Sequence, residues 1–289
     1  MAKGESVEVA WIGRNIPLAG RQKLSPWRRQ ALTAWKSAPD ASIHTILDLP
    51  AEAMDRYLSQ VGGRPAARPL HAAVKAAALA LARFPEANCV MRRGGLYRRR
   101  DADIFLPVAL DAEGHDLAYT VVRQADRKGI GEIAKELAVD VIRLRKHGEK
   151  AYRPPNVPLV SGLLIRLATF CLYTLNLWSP AFGVPRNPFG SAAVSDISGF
   201  NVDYGFPPLL PIARLPFVIG VGSIIERPNA QGRVEPWQRL TVIFDHRILD
   251  GVLVGRICGY LREVWQAPAE HLEAADHLGE AQPQTEPGA

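Results

Sequence analysis

Residues 157–185 span 29 positions and carry a single charge, Arg166. A chain with such a run must hide it in its own interior, against another subunit, or in lipid. Length alone would let the run cross a bilayer. Pro158 at its start, Arg166 within it, and then Asn176, Pro180, Gly183 and Pro185 argue against a span. Its cleanest part, residues 167–178, is 12 positions long, short of the roughly 20 a spanning helix needs. Packing within the protein or at a subunit contact is the first expectation. An interfacial, lipid-facing helix is the second, and a span or a lining for an apolar acyl group comes last.

The remainder of the 289 residues reads as globular. With 47% hydrophobic and 22% charged residues, the chain can bury a core without staples, which excludes wholesale disorder and a polytopic membrane protein. Cys89, Cys171 and Cys258 are odd in number, far apart and outside any CxxC. No disulfide scaffold and no metal site are expected, and a reducing cytoplasm fits. The first 17 residues lack the apolar run of a secretory leader, so the expected location is cytoplasmic, with a peripheral membrane position left open by 157–185.

The net charge is +6, and 27 of the 35 basic residues are arginine. Arg92, Arg93, Arg98, Arg99 and Arg100 cluster around Gly94 and Gly95 in what reads as one hairpin over residues 90–109. The first reading is a solvated hairpin tip. A site for a polyanionic cofactor is the second, because guanidinium forks suit phosphates. Nucleic acid is not expected, since neither interleaved aromatics nor a binding motif accompanies the charge.

Strands and helices mix without strict alternation. Residues 42–48 alternate and are β-branched, a strand; Pro50 opens a short helix through Tyr57. Ser25 and Pro26 form a helix start leading to Trp35. An alanine-rich helix over 70–84 holds one lysine, Lys75, and ends at Pro85. Residues 117–123 read as a strand, and 130–145 as an amphipathic helix with Ile133, Leu137, Val141 and Leu144 on one stripe. Residues 216–225 and 240–244 are buried strands, and 252–265 is a last helix. From 266 to 289 the composition turns to that of a disordered tail. An α+β domain with a mixed sheet flanked by helices follows.

The stretch Phe244-Asp245-His246-Arg247-Ile248-Leu249-Asp250-Gly251 carries the chemistry. An apolar strand delivers His246, and Asp250-Gly251 opens the next helix. Imidazole exchanges protons near neutral pH, so a histidine held by rigid backbone is a candidate general base. Asp250 either caps the helix or holds an arginine, and Gly251 permits close backbone approach. A structural histidine at a turn is the plain alternative.

This stretch resembles the DHRxxDG signature of the catalytic domain of the 2-oxo acid dehydrogenase acyltransferases, the dihydrolipoamide acyltransferase family, whose fold is shared with chloramphenicol acetyltransferase. Other blocks follow in family order. Ile16-Pro17-Leu18-Ala19-Gly20 resembles the opening IPLSG, and 75–88 (KAAALALARFPEAN) the helix ending in FPxxN. Gln124 to Lys128 with Glu132-Ile133-Ala134 resembles DADxKxxxEIA. Residues 189–200 (FGSAAVSDISGF) are similar to GTFTISNLGMFG; Ile219 to Ser223 and Glu226-Arg227-Pro228 are similar to LGVGxxxxRP. The blocks suggest one catalytic domain over 16–265, with a 1–15 extension and an apolar insertion at 157–189.

The resemblance implies acyl transfer between coenzyme A and a thiol or another small acceptor, with His246 as base and no acyl-enzyme. It implies Ser195 as hydrogen-bond donor to the tetrahedral oxyanion. It implies that Asp250 supports the histidine loop by pairing with an arginine near the domain start, for which Arg21, Arg28 and Arg29 are candidates; Gly251 supports the same loop. Coenzyme A contacts are not assigned. The family forms trimers or cages of trimers with the site at a subunit boundary, so a homotrimer or higher is expected.

Four departures bear on the reading. No lipoyl domain or lipoylation motif is visible, so no covalent lipoyl is expected on this chain and a lipoyl or acyl carrier would act in trans. The family's GLVVPV strand is replaced by 115–122 (HDLAYTVV). The apolar insertion is new and leaves membrane contact through 157–185 open. TISNLG becomes VSDISG, which sets Asp196 beside Ser195; strand alternation should send the two to opposite faces. A non-catalytic assembly or membrane-associated scaffold that kept the fold is the competing reading.

Overall fold

The computed structural model describes residues 13–23, 41–110, 117–147, 167, 170–180, 185–200, 204–229 and 231–273. Eleven strands and four α-helices are described. They are β1 (Gly13–Arg14), β2 (Leu18–Arg21), β3 (Ser42–Pro50), α1 (Glu52–Val61), α2 (Pro69–Arg83), β4 (Cys89–Arg92), β5 (Gly95–Arg99) and β6 (Ile104–Ala109). There follow β7 (Leu117–Val122), α3 (Ile130–His147), β8 (Leu177–Trp178), β9 (Ala192–Asp196), β10 (Phe217–Pro228), β11 (Val234–Asp245) and α4 (Gly251–Gln266).

Six strands form the main sheet in the order β3-β11-β10-β9-β6-β7. Strand β9 runs parallel to both neighbours and the other pairs are antiparallel, so the sheet is mixed, as the sequence predicts. Its alternation decides what each face does. Leu240, Val242 and Phe244 of β11, with Phe217 and Ile219 of β10 and Val194 of β9, point into the principal core. Helix α2 closes that face, because Ala72, Ala73, Ala76, Ala77 and Ala80 leave little side chain between helix and sheet. Leu253, Ile257, Leu261 and Trp265 of α4 fill the rest. Burying such side chains stabilises by roughly 1.5–3 kcal/mol each.

Lys75 is wholly buried in α2. Its ammonium donates to the carbonyls of Asp126 and Lys128 at 3.0 and 2.6 Å, tying the 3-10 turn Ala125–Arg127 to the helix. The lysine is a structural tie, as its buried helix pattern suggests.

Three expectations are corrected. Residues 90–109 are not one hairpin. Strands β4 and β5 pair in a small sheet with β2, whereas β6 leaves for the main sheet. The 1–15 extension does not stop short of the domain: β1 pairs with β8, and Asn15 is fully buried. The tail does not begin at 266, because Ala269–Glu273 is helical and Leu272 is buried against the core. The helix start at Ser25 and Pro26 lies outside the described residues, as do 274–289.

The described part of the apolar insertion packs only in part against the protein, and Leu167, Phe170 and Leu177 stay exposed. The π-helical turn Phe170–Leu175 buries Leu172 and Tyr173 against Ile16 and Val90. Asn176 then exchanges two hydrogen bonds with the backbone of Ile16, at 2.7 and 2.9 Å. Among the described residues, no helix is long and apolar enough to cross a membrane.

Candidate active site

His246 lies immediately after β11, in a turn held by its own backbone. Asp245 donates its N–H to Pro216, and its carbonyl accepts from the N–H groups of Ile248 and Leu249, all at 2.8–2.9 Å. Asp245 is buried and takes the Arg247 guanidinium through both carboxylate oxygens, with Nε–Oδ1 2.9 Å and Nη2–Oδ2 2.7 Å. A forked pair two residues apart in sequence braces the turn on both sides of the histidine. The carboxylate in turn holds the Arg247 guanidinium above its ordinary range.

His246 is anchored twice. Its N–H donates to Ala41 O at 2.7 Å, and its ring Nδ1 lies 2.8 Å from Leu249 O. A carbonyl only accepts, so Nδ1 carries the proton and the neutral ring has its lone pair on Nε2. This fixes both the tautomer and the ring plane of a base.

Asp250 is the N-cap of α4. Its carboxylate accepts from Leu253 N at 2.9 Å, a cap worth about 1 kcal/mol. Of the two roles open in the sequence, the cap is visible among the described residues. Arg28 and Arg29 lie outside the described residues. Arg21 sits against Gly95 of the small sheet, its Nε 3.0 Å from where a Cβ would stand. Gly251 is the first residue of α4, and a Cβ there would meet nothing within 4 Å among the described residues.

Ser195 lies on β9 and pairs with Gly220 of β10, which pairs with Thr241 of β11. His246 is five positions beyond Thr241 and two strands away from β9. At about 3.3 Å per residue, that offset is about 16 Å along the sheet and about 10 Å across it. One chain therefore does not bring His246 and Ser195 together. Ser195 shares the outer face with Ala193, whose neighbours are Phe105, Leu215 and Val218. Asp196 turns to the other face and accepts from the N–H and hydroxyl of Ser198 at 3.1 and 2.6 Å. The expected separation of the two side chains is what the strand delivers.

Sequence reasoning passed over what covers the Ser195 row. Thr241 donates its hydroxyl to Gly205 O at 2.6 Å, drawing the segment 204–215 onto the outer face. Gly220 makes room for this: a Cβ there would stand 2.4 Å from Thr241 Oγ1 and 3.0 Å from Pro207. Gly220→Ala is expected to displace that cover and lower unfolding free energy by about 1–3 kcal/mol, read from urea denaturation.

On the core face, His71 caps the start of α2. Its Nδ1 accepts from Arg68 N at 2.9 Å, and burial, with the Arg68 charge, pushes it from the usual 6.5 to about 4. Between those values the unfolded chain takes up a proton that the folded protein refuses. The stability this contributes is full above about pH 6.5 and is lost as pH falls towards 4, by roughly 3 kcal/mol. The urea midpoint should fall accordingly between about pH 7 and about pH 4.5, and less so in His71→Gln.

The arginine cluster is neither one solvated tip nor one site. Only Arg93, Arg98 and Arg100 are exposed. Arg92 stacks on Tyr97 and donates to Thr174 O at 3.1 Å, and Arg99 is buried. Strand alternation splits the run between the two faces of the small sheet. Among the described residues, no group of side chains could hold a metal ion.

A mixed six-stranded sheet closed by helices, with a histidine turn leaving its last strand, is the chloramphenicol acetyltransferase-like fold. A solved chloramphenicol acetyltransferase is 9% identical and superposes with a TM-score of 0.54 over 84% of this chain and 98% of that one. A probable dihydrolipoamide acetyltransferase from Listeria monocytogenes 4b F2365 is 19% identical, with a TM-score of 0.59 over 85% of this chain and 93% of that one. The model of the 2-oxoacid dehydrogenases acyltransferase (catalytic domain) family matches residues 26–151. That match takes in less than half of the chain. The lipoamide acyltransferase component of the branched-chain alpha-keto acid dehydrogenase complex of Bacillus subtilis is 25% identical over 199 residues. That match takes in 67% of this chain and spans 38% of the curated relative.

Proposed function

We propose that the protein transfers acyl groups between coenzyme A and a thiol or other small acceptor, with His246 as general base. The observation that carries this reading is the Nδ1 contact to Leu249 O, which leaves the basic lone pair on Nε2. Similarity of residues 26–151 to the 2-oxoacid dehydrogenases acyltransferase (catalytic domain) model supports the reaction class.

Coenzyme A, when bound, supplies the acyl group as a thioester or accepts it as a thiol. His246 Nε2 removes the proton from the attacking thiol or hydroxyl as the nucleophile bonds to the thioester carbonyl carbon. The carbonyl oxygen gains the negative charge, and the Ser195 hydroxyl donates to it. On collapse the carbon–sulfur bond breaks, and His246 returns its proton to the departing thiolate. Asp245, Arg247 and the Asp250 cap hold the imidazole through these steps and do not touch the reacting atoms.

His246 and Ser195 serve one site only if they come from different chains, so the active form is a homotrimer or a larger assembly of trimers. Their offset along a single sheet supports this. Dihydrolipoamide on a carrier in trans is the leading acceptor.

The experiment is complementation. His246→Ala and Ser195→Ala proteins are assayed alone, then unfolded and refolded together, with acyl-CoA donors and free dihydrolipoamide. In randomly mixed trimers about a quarter of the sites regain both groups, so activity should reappear at that level. No recovery on mixing defeats the shared site, and an inactive wild type across the donor panel defeats the enzyme.

A further inference from the structure

A hollow of about 500 Å³ opens where β1, the β5–β6 connection, the end of β7 and residues 186–187 meet. Four arginines line it: Arg14, Arg100, Arg123 and Arg186. Two carboxylates, Asp101 and Asp103, lie among them. The acidic pair is already engaged. Asp103 is buried and takes Arg123 Nη1 at 2.8 Å, Asn187 Nδ2 at 3.2 Å and Gln124 N at 3.0 Å. Asp101 accepts from Gln124 Nε2 at 3.1 Å. Arg123 also donates to the carbonyls of Asn187 and Arg186, at 3.1 and 2.7 Å.

Arg14, Arg100 and Arg186 are left with no salt bridge among the described residues. Arg186 is nevertheless fixed in place. Its guanidinium stacks 4.6 Å from the centre of the Trp178 ring, and Nη2 lies 2.7 Å from where a Cβ on Gly13 would stand. Three guanidinium groups thus line one concavity while Asp103 is paired with Arg123 and Asp101 is the remaining carboxylate. Four cations against two carboxylates around one recess favour a ligand that brings several anionic oxygens, each taking a charge-assisted hydrogen bond.

We propose that this hollow binds a small polyanion through Arg14, Arg100 and Arg186. Phosphate groups and polycarboxylates share the required chemistry. The site rests on residues other than His246 and Ser195, and so stands independently of the acyltransferase reading.

The test is calorimetric titration of the whole protein with inorganic pyrophosphate and, separately, citrate, at fixed ionic strength. Arg100→Gln and Arg14→Gln remove exposed side chains that make no ion pair among the described residues, so both should melt like wild type. Each should weaken binding about fivefold, and the double variant about 25-fold. Arg233→Gln, on the β10–β11 turn, is the control for net charge and should leave affinity unchanged. Tighter pyrophosphate assigns a phosphate-bearing ligand, and tighter citrate a polycarboxylate. Absence of binding at millimolar anion overturns the proposal. So does binding that Arg100→Gln and Arg14→Gln leave untouched, or that Arg233→Gln weakens equally.

Discussion

His246→Ala should lower kcat for acyl transfer by about two to four orders of magnitude, the range expected for losing a positioned general base. The backbone bond from residue 246 to Ala41 O survives the change, as does the Asp245–Arg247 fork. The turn should therefore persist, and the melting temperature should move little. His246→Gln is the sharper control, because its amide can still donate to Leu249 O but offers no basic nitrogen. Both variants should be equally inactive in steady-state assays. If Gln restored most of the rate, the ring would be serving to hold the turn, and the base would have to be sought elsewhere.

The largest stability loss is expected at Arg99. This side chain is fully buried, and desolvation pulls its guanidinium down to about 10, with Tyr173 and Asp103 opposing that shift. Nη1 donates to Asn187 Oδ1 at 3.0 Å and to Gly190 O at 2.7 Å, and Nη2 to Arg214 O at 3.4 Å. Arg99→Ala leaves two buried acceptors, on Asn187 and Gly190, without that donor, opens a cavity, and removes the cation facing Asp103. A loss of about 3–5 kcal/mol follows, as for breaking a buried charged pair. For a domain of this size that lowers Tm by roughly 6–15 °C in calorimetry. Arg99→Lys should recover only part, since an ammonium cannot fork towards residues 187, 190 and 214 together.

Local patterns carried much of this in the sequence. The run from Phe244 to Gly251 spells strand, turn and helix, and the structure forms all three in place. Alternation alone separates Ser195 from Asp196, because a strand offers two faces and no others. Alanine spacing gives α2 to within a residue. What escaped depends on partners distant in sequence. Nothing near Arg99 in the chain announces residues 187, 190 and 214. Nothing near β6 says that it abandons the β4–β5 hairpin for β9, 88 positions on. The cover at 204–215 has no regular strand or helix, and it is held by Thr241, His44 and the Arg214 guanidinium rather than by a ladder. Arg214 stands in the left-handed region at φ 51°, where its guanidinium reaches Met91 O and Tyr173 O, a conformation that no local motif prescribes.

The knot around Asn15 has a consequence for how the chain tolerates change. Asn176 and Asn187, both in the left-handed conformation that asparagine accepts readily, bond respectively to Ile16 and to Asn15, Arg99 and Asp103. Each end of the intervening stretch is thus fastened to the same short arm by its own polar groups. With both ends fastened, doubling the length of chain between them adds only about 0.6 kcal/mol of closure entropy. The chain between Trp178 and Arg186 is therefore the natural place to graft a foreign loop, epitope or binding peptide, with the histidine turn and its sheet left as they are.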